Sequence, residues 1–230
     1  MIRTALVAAA AAFTFGSLVG CAPASDSSPP DATERATAAL WAAIEAEDPD
    51  ATARAIEDGA TLEDRSGEKN ATPLVEATKK NLPPIARVLI DAGADVNAKD
   101  GIQDSAFLYA GAEGFDEILK MTIDAGADVT STNRYGGTAL IPASEHGHVS
   151  TVKILIAAGV PVDHVNDLGW TAMHEAIVLN DGGPAQVETV GLLLEAGADP
   201  DITDREGRTS RELALEHGHD EIVAVIDAAG

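Results

Sequence analysis

A hydroxyl-bearing residue returns in the same local setting at Thr72, Ser105, Thr138, Thr171 and Thr209, at intervals of 33, 33, 33 and 38 residues. A unit of that length holds two short helices and a connecting loop but no core of its own. Each unit must therefore bury its apolar face against the next, and the chain is expected to fold as a solenoid. The unit is clearest over Asn133 to Asn166. Thr138-Ala139-Leu140 opens one helical pattern and Gly147-His148 marks a turn. Val149, Val152, Leu155 and Ile156 then form an apolar stripe at helical spacing, stopped by Gly159, and an extended Val160 to Asn166 leads out. The expected fold class is all-α, with about six stacked helix-turn-helix units and extended finger loops over residues 37–230.

Composition agrees with this reading. An apolar share of 45% with only 3% aromatics describes a core of Ala, Leu, Ile and Val, which suits short helices at close range. The formal charge of −23, from 15 Lys+Arg against 38 Asp+Glu, argues against nucleic acid, because phosphate binding needs a clustered positive surface. Acidity of this size keeps an exposed protein soluble, and it also favours encounter with a basic partner.

The units resemble ankyrin repeats. The resemblance is carried by Thr72-Pro73-Leu74, Thr171-Ala172-Met173-His174, Gly147-His148 and Gly218-His219, and by the echoes Gly93-Ala94-Asp95-Val96-Asn97, Gly126-Ala127-Asp128-Val129 and Gly197-Ala198-Asp199. It covers roughly residues 37 to 230 and implies an ankyrin repeat solenoid. In that family the recognition surface comprises the finger tips and the exposed side of the first helices. Carried over here, the tips include Gly101-Ile102, Arg134-Tyr135 and Asp167-Leu168 with Trp170, and the helix side includes Lys79, Glu145, His146, Val178 and Leu179. Tyr135 and Trp170 are the anchors of choice, since displayed aromatics are the usual energetic centres of an interface. Trp170 could equally seal the neighbouring finger.

The first 36 residues read differently. Arg3 precedes an apolar run from Ala5 to Phe15, which ends in Leu18-Val19-Gly20-Cys21. This is a secretory signal over residues 1–20, and its ending resembles the bacterial lipobox, in which the Cys is acylated and becomes the N-terminus. Cys21 is the one cysteine of the chain, so no internal disulfide is available and lipidation is its expected use. Residues 21–36 are rich in Ser, Pro, Ala and Asp and read as a disordered tether.

Several units depart from the pattern. The first is degenerate, with helical patterns over Ala38 to Glu47 and Asp50 to Glu57, and Trp41 is expected to plug the first interface. The third carries Phe107 and Tyr109, and has Thr122 where the fourth has Leu155. Pro142 lies about one turn inside the helix begun at Thr138, where a bend is expected. Five extra residues, Asn180 to Pro184, lengthen one turn of the fifth unit, and Arg211, Glu212 and Glu216 make the sixth a polar closing unit.

No catalytic or metal motif stands out. His146/His148 and His217/His219 occupy one repeat position in non-adjacent units, and His148, His174 and His219 fall where ankyrin repeats use His structurally. Asp199, Asp201 and Asp204 hint at a calcium loop, but Ser210 stands where the bidentate acid belongs. The expected protein is a non-catalytic interaction module without cofactor or metal, lipid-anchored through Cys21 to the bacterial cell membrane or outer membrane. It faces away from the cytoplasm and binds a protein through Ile102, Arg134, Tyr135, Asp167, Leu168, Trp170, Glu145, His146, Val178 and Leu179 on its concave face. The alternatives are an immunity or inhibitor protein against a basic toxin or enzyme, and an accessory to a periplasmic stress-defence enzyme.

Overall fold

The computed structural model describes residues 31–229, so the signal, Cys21 and most of the tether lie outside the described residues. Twelve helices follow one another within that range: α1 (Ala32–Glu45), α2 (Pro49–Glu57), α3 (Pro73–Lys79), α4 (Pro83–Asp91), α5 (Ala106–Glu113), α6 (Asp116–Asp124), α7 (Leu140–Glu145), α8 (Val149–Ala157), α9 (Ala172–Val178), α10 (Pro184–Glu195), α11 (Ser210–His217) and α12 (Asp220–Ala229). Odd-numbered helices pack in one row and even-numbered helices in a second, each helix touching its counterparts one repeat away. No strand forms among the described residues beyond two isolated bridges, Ser66 to Ala71 and Thr203 to Thr209. Among these residues no helix is long and apolar enough to cross a membrane.

The repeated hydroxyls cap the odd helices. Thr72, Ser105, Thr171 and Thr209 each accept a hydrogen bond from the amide three residues on, at 3.2 to 3.4 Å. Thr138 does not. With Pro142 in the first turn, α7 starts one residue later than its counterparts. Its N-cap is Ala139 without a side-chain cap, and the buried Thr138 hydroxyl has no partner. The entry into the helix is tightened, the Ile141 amide donating to the Thr138 carbonyl at 3.2 Å.

The even helices α2 to α10 end at Gly59, Gly93, Gly126, Gly159 and Gly197, all between φ 84° and 93°. A side chain there would meet nothing within 4 Å, so the left-handed backbone alone demands glycine. Between the rows runs one continuous core, whose largest fully buried members include Leu74, Leu89, Phe107, Leu140, Leu155, Ile177 and Leu193. Phe107 is thus a core residue. The Thr122 hydroxyl is satisfied inside its own helix by the Leu119 carbonyl at 2.8 Å. Two odd helices stack tightly at Gly111, where an added Cβ would lie 2.7 Å from that of Ala139.

The fold begins earlier than the sequence reading placed it. Residues 32–36, assigned to the tether, form the start of α1. The reason is a capping box: Asp31 accepts from the Glu34 amide at 2.8 Å, and the Glu34 carboxylate accepts from the Asp31 amide at 3.0 Å. Ala36 and Leu40 are then buried, and Trp41 is half-buried against the core with its indole N–H on Asp64 at 2.7 Å. At the other end Leu215 is 48% exposed, although its counterparts Thr78, Ser144 and Ile177 are fully buried beneath the following repeat.

Candidate functional site

Four finger tips are each built on one side chain. Asp100, Asn133, Asn166 and Asp204 occupy the same place in successive units, and the Oδ1 of each accepts the amides two and four residues on, at 2.9 to 3.1 Å. This folds the tip back on itself without a strand partner. Tips then link to each other: the Gly101 amide donates to the Lys69 carbonyl at 2.6 Å, and the Asp167 amide to the Tyr135 carbonyl at 2.9 Å. Side chains between tips are thereby held in fixed register.

In three of these residues the second side-chain atom ties down a neighbour. Asp100 Oδ2 pairs with Lys79, and Asp204 Oδ2 pairs with Arg208 at 2.7 Å. Burial opposes charge on Asp100, but Lys79 and the amides of Asp104 and Ile102 outweigh it, and the carboxyl titrates below its ordinary range. Asn166 carries an amide there instead, and its Nδ2 donates to Glu175 Oε1 at 2.7 Å.

A groove of ≈ 480 Å³ runs between the tips and the odd helices across the third, fourth and fifth units. Its floor includes Tyr109, Pro142 and Glu175, which all stand four residues after the recurring hydroxyl of their unit. Its rim includes Tyr135, Leu168 and Leu179, three of the five large apolar side chains left exposed among the described residues. Arg134 stacks on Tyr135 with its guanidinium carbon 4.6 Å from the ring centre, and reaches Asp104 at 3.4 Å. Burial and the nearby Asp100 push the Asp104 carboxyl up. Glu175 is 6% exposed, and burial together with Glu145 raises it from 4.5 to about 7, with Asn166 and His146 acting in the opposite sense.

The structure gathers Ile102, Arg134, Tyr135, Glu145, His146, Leu168 and Leu179 around this groove. Asp167, Trp170 and Val178 lie outside its lining. Asp167 is at the tip, its carbonyl held by Arg205, while Trp170 is half-buried and Val178 packs partly against the core. Sequence reasoning missed Glu175, Asn166 and Asp104. The variable position four residues past each capping hydroxyl, read beside the recurring Asp or Asn of each tip, was the signal that could have found them.

The histidines bond mostly to backbone carbonyls. His174 is fully buried, with Nε2 3.1 Å from the Ile202 carbonyl, and burial lowers its pKa. His219 reaches the Ile177 carbonyl at 3.1 Å, His146 that of Ala112 at 2.9 Å and His164 that of Gly136 at 2.6 Å. Asp199 and Asp204 accept amides of their own turns. Among the described residues no cluster of three or more His, Cys, Asp or Glu could hold a metal ion. A depression of ≈ 620 Å³ between α4 and α6 is lined by Arg87, Asp91, Glu117, Lys120 and Asp124, an alternation of exposed charges on solvated helix surfaces.

Stacked helix pairs, finger loops in register and a groove between them define a repeat solenoid of the kind that presents a recognition surface. Comparison with known proteins specifies it further. The three-copy model of ankyrin repeats matches residues 107–204 and the single ankyrin repeat model residues 69–101, and the chain belongs to the ankyrin repeat family. It is similar to an ankyrin repeat domain from Acinetobacter baumannii AYE, with 51% identity over 83% of this chain and 97% of that one and a TM-score of 0.79. It is also similar to EF0377, an ankyrin repeat protein, at 39% identity with the same coverage and TM-score. A 56-residue stretch is 57% identical to the ankyrin repeat protein YahD of Escherichia coli (strain K12), spanning 24% of this chain and 28% of that protein. Ankyrin repeats are in general non-catalytic modules that bind proteins.

Proposed function

We propose that this chain is a non-catalytic binding module that takes a protein partner into the groove of its third to fifth units and is held outside the cytoplasm by acylation of Cys21. One observation carries the binding site: Tyr135, Leu168 and Leu179 stand about half exposed around a single groove whose floor is polar. Apolar side chains gathered at one place on a rigid frame are interface material, and Arg134 stacked on Tyr135 adds a second preferred interface residue. The anchoring rests on Leu18-Val19-Gly20-Cys21 closing an apolar run. The charge of −23 favours a basic partner, and inhibition of a basic enzyme or toxin is the specific role that charge would serve best.

The test is a pull-down from cell envelope with Tyr135→Ala/Leu168→Ala and, separately, Lys120→Ala/Arg87→Ala on the outer row, with circular dichroism confirming that both fold. The groove pair is expected to lose capture by more than about tenfold and the outer pair to keep it. The reverse pattern would move the site to the outer helices.

A further inference from the structure

Four acidic residues are more than nine-tenths buried among the described residues: Asp100, Asp104, Glu175 and Asp204. Three of them hold a cation, namely Lys79, Arg134 and Arg208. Glu175 does not. Its Oε1 accepts a single hydrogen bond from Asn166, no protein donor reaches its second oxygen among the described residues, and it lines the groove. Asn166 cannot turn to serve both oxygens, because its Oδ1 is fixed by the amides of Leu168 and Trp170.

A carboxyl this far buried carries its charge at a cost, which protonation or a positive neighbour relieves. The surroundings favour the second. Glu145 and Glu113 line the same groove, Asp104 already consumes Arg134, and the remaining basic groups there are Lys69 and His146, the latter bonded to the Ala112 carbonyl. Leu168 and Leu179 stand at the mouth, half exposed, which suits the methylene stem of a long cationic side chain. We infer that the groove receives a Lys or Arg side chain from an extended segment of a basic protein partner, its cation seated on Glu175 and Glu145 and its stem against Leu168 and Leu179. The inference rests on the groove being the partner-binding face. With Glu175 poised at about 7, a guest cation would also stabilise the ionised carboxylate and draw off its proton.

The experiment uses the labelled full chain in detergent at about pH 8 and four bead-bound nonapeptide pools. The central residue is Arg, Lys, citrulline or Glu, and the flanking positions are randomised. Citrulline keeps the shape of Arg without its charge. The Arg and Lys pools should retain the protein about tenfold more than the citrulline pool, and Glu175→Gln should remove that preference while keeping the fold. Glu221→Gln, an exposed change of the same charge at the far end of the stack, should leave it intact. Equal retention by the Arg and citrulline pools overturns the cation seat. If that residual binding still depends on Tyr135 and Leu168, the groove remains the partner face. Equal losses for Glu221→Gln and Glu175→Gln would make the preference a matter of overall acidity and would also overturn it. Binding from any pool that ignores Tyr135→Ala/Leu168→Ala would remove both readings together.

Discussion

Replacing Glu175 by Gln should stabilise the protein, and only at neutral and higher pH. In the fold this carboxyl titrates at about 7 against an ordinary 4.5, because burial and Glu145 disfavour its charge. Its folded pKa is raised, so between these values the native state keeps a proton that the unfolded chain has lost. Stability therefore falls as pH rises through that window and levels off above 7. The full gap corresponds to about 3 kcal/mol, and since the carboxyl lines an open groove about 2 kcal/mol is the working figure. Gln is neutral at every pH, keeps an oxygen for Asn166 Nδ2 and has nearly the same volume. Urea unfolding followed by far-UV circular dichroism, for wild type and variant at about pH 5 and about pH 8, isolates this group, because the self-repulsion of a −23 chain is common to both proteins. The variant should gain about 2 kcal/mol at the higher pH and little at the lower. A difference of equal size at both pH values, or a loss at pH 8, would refute the argument that burial strains this carboxylate.

Other expected outcomes follow from the same contacts. Gly111→Leu should lower stability by about 1 to 3 kcal/mol in thermal or urea unfolding, because even one added carbon meets Ala139 at 2.7 Å. Leu155→Ala, in the buried stripe of α8, should cost about 2 to 5 kcal/mol by the same measurement. Lys79→Met should destabilise the fold at neutral pH by leaving Asp100 buried without its cation. That loss should vanish in acid, since a carboxyl with a lowered folded pKa contributes its stability above the unfolded value and loses it as pH falls through the folded one. Cys21→Ser should move the protein out of the membrane fraction, whereas equal retention of both forms would point to an uncleaved apolar segment.

The frame of this molecule is legible in its sequence because repetition multiplies weak signals. One Thr followed by an apolar pair says little, but the same hydroxyl at Thr72, Ser105, Thr171 and Thr209 identifies four helix starts, and the structure shows each hydroxyl accepting its amide. Where a position must act alone the reading weakens. The start of α1 escaped because residues 21–36 look uniform in composition, and the two hydrogen bonds between Asp31 and Glu34 decide the boundary against that background. The groove was half legible. Tyr135 and Leu168 follow from tip position, but whether Trp170 joins them depends on side-chain direction, which spacing does not encode. Glu175 was hidden for another reason. Its character comes from Asn166 on a tip and Glu145 one unit earlier, neither adjacent to it in the chain, and a buried acid reads in sequence like any exposed one.

The central claim, that the partner sits in the groove of the third to fifth units, is tested most directly by position-specific photo-crosslinking in living cells. A photoreactive residue is placed at Leu168 or Leu179 on the rim, or at Lys120 on the outer row, in otherwise unchanged full-length protein. The groove predicts one discrete adduct, of the same mass from both rim positions and absent from Lys120. An adduct from Lys120 with none from Leu168 or Leu179 would contradict it.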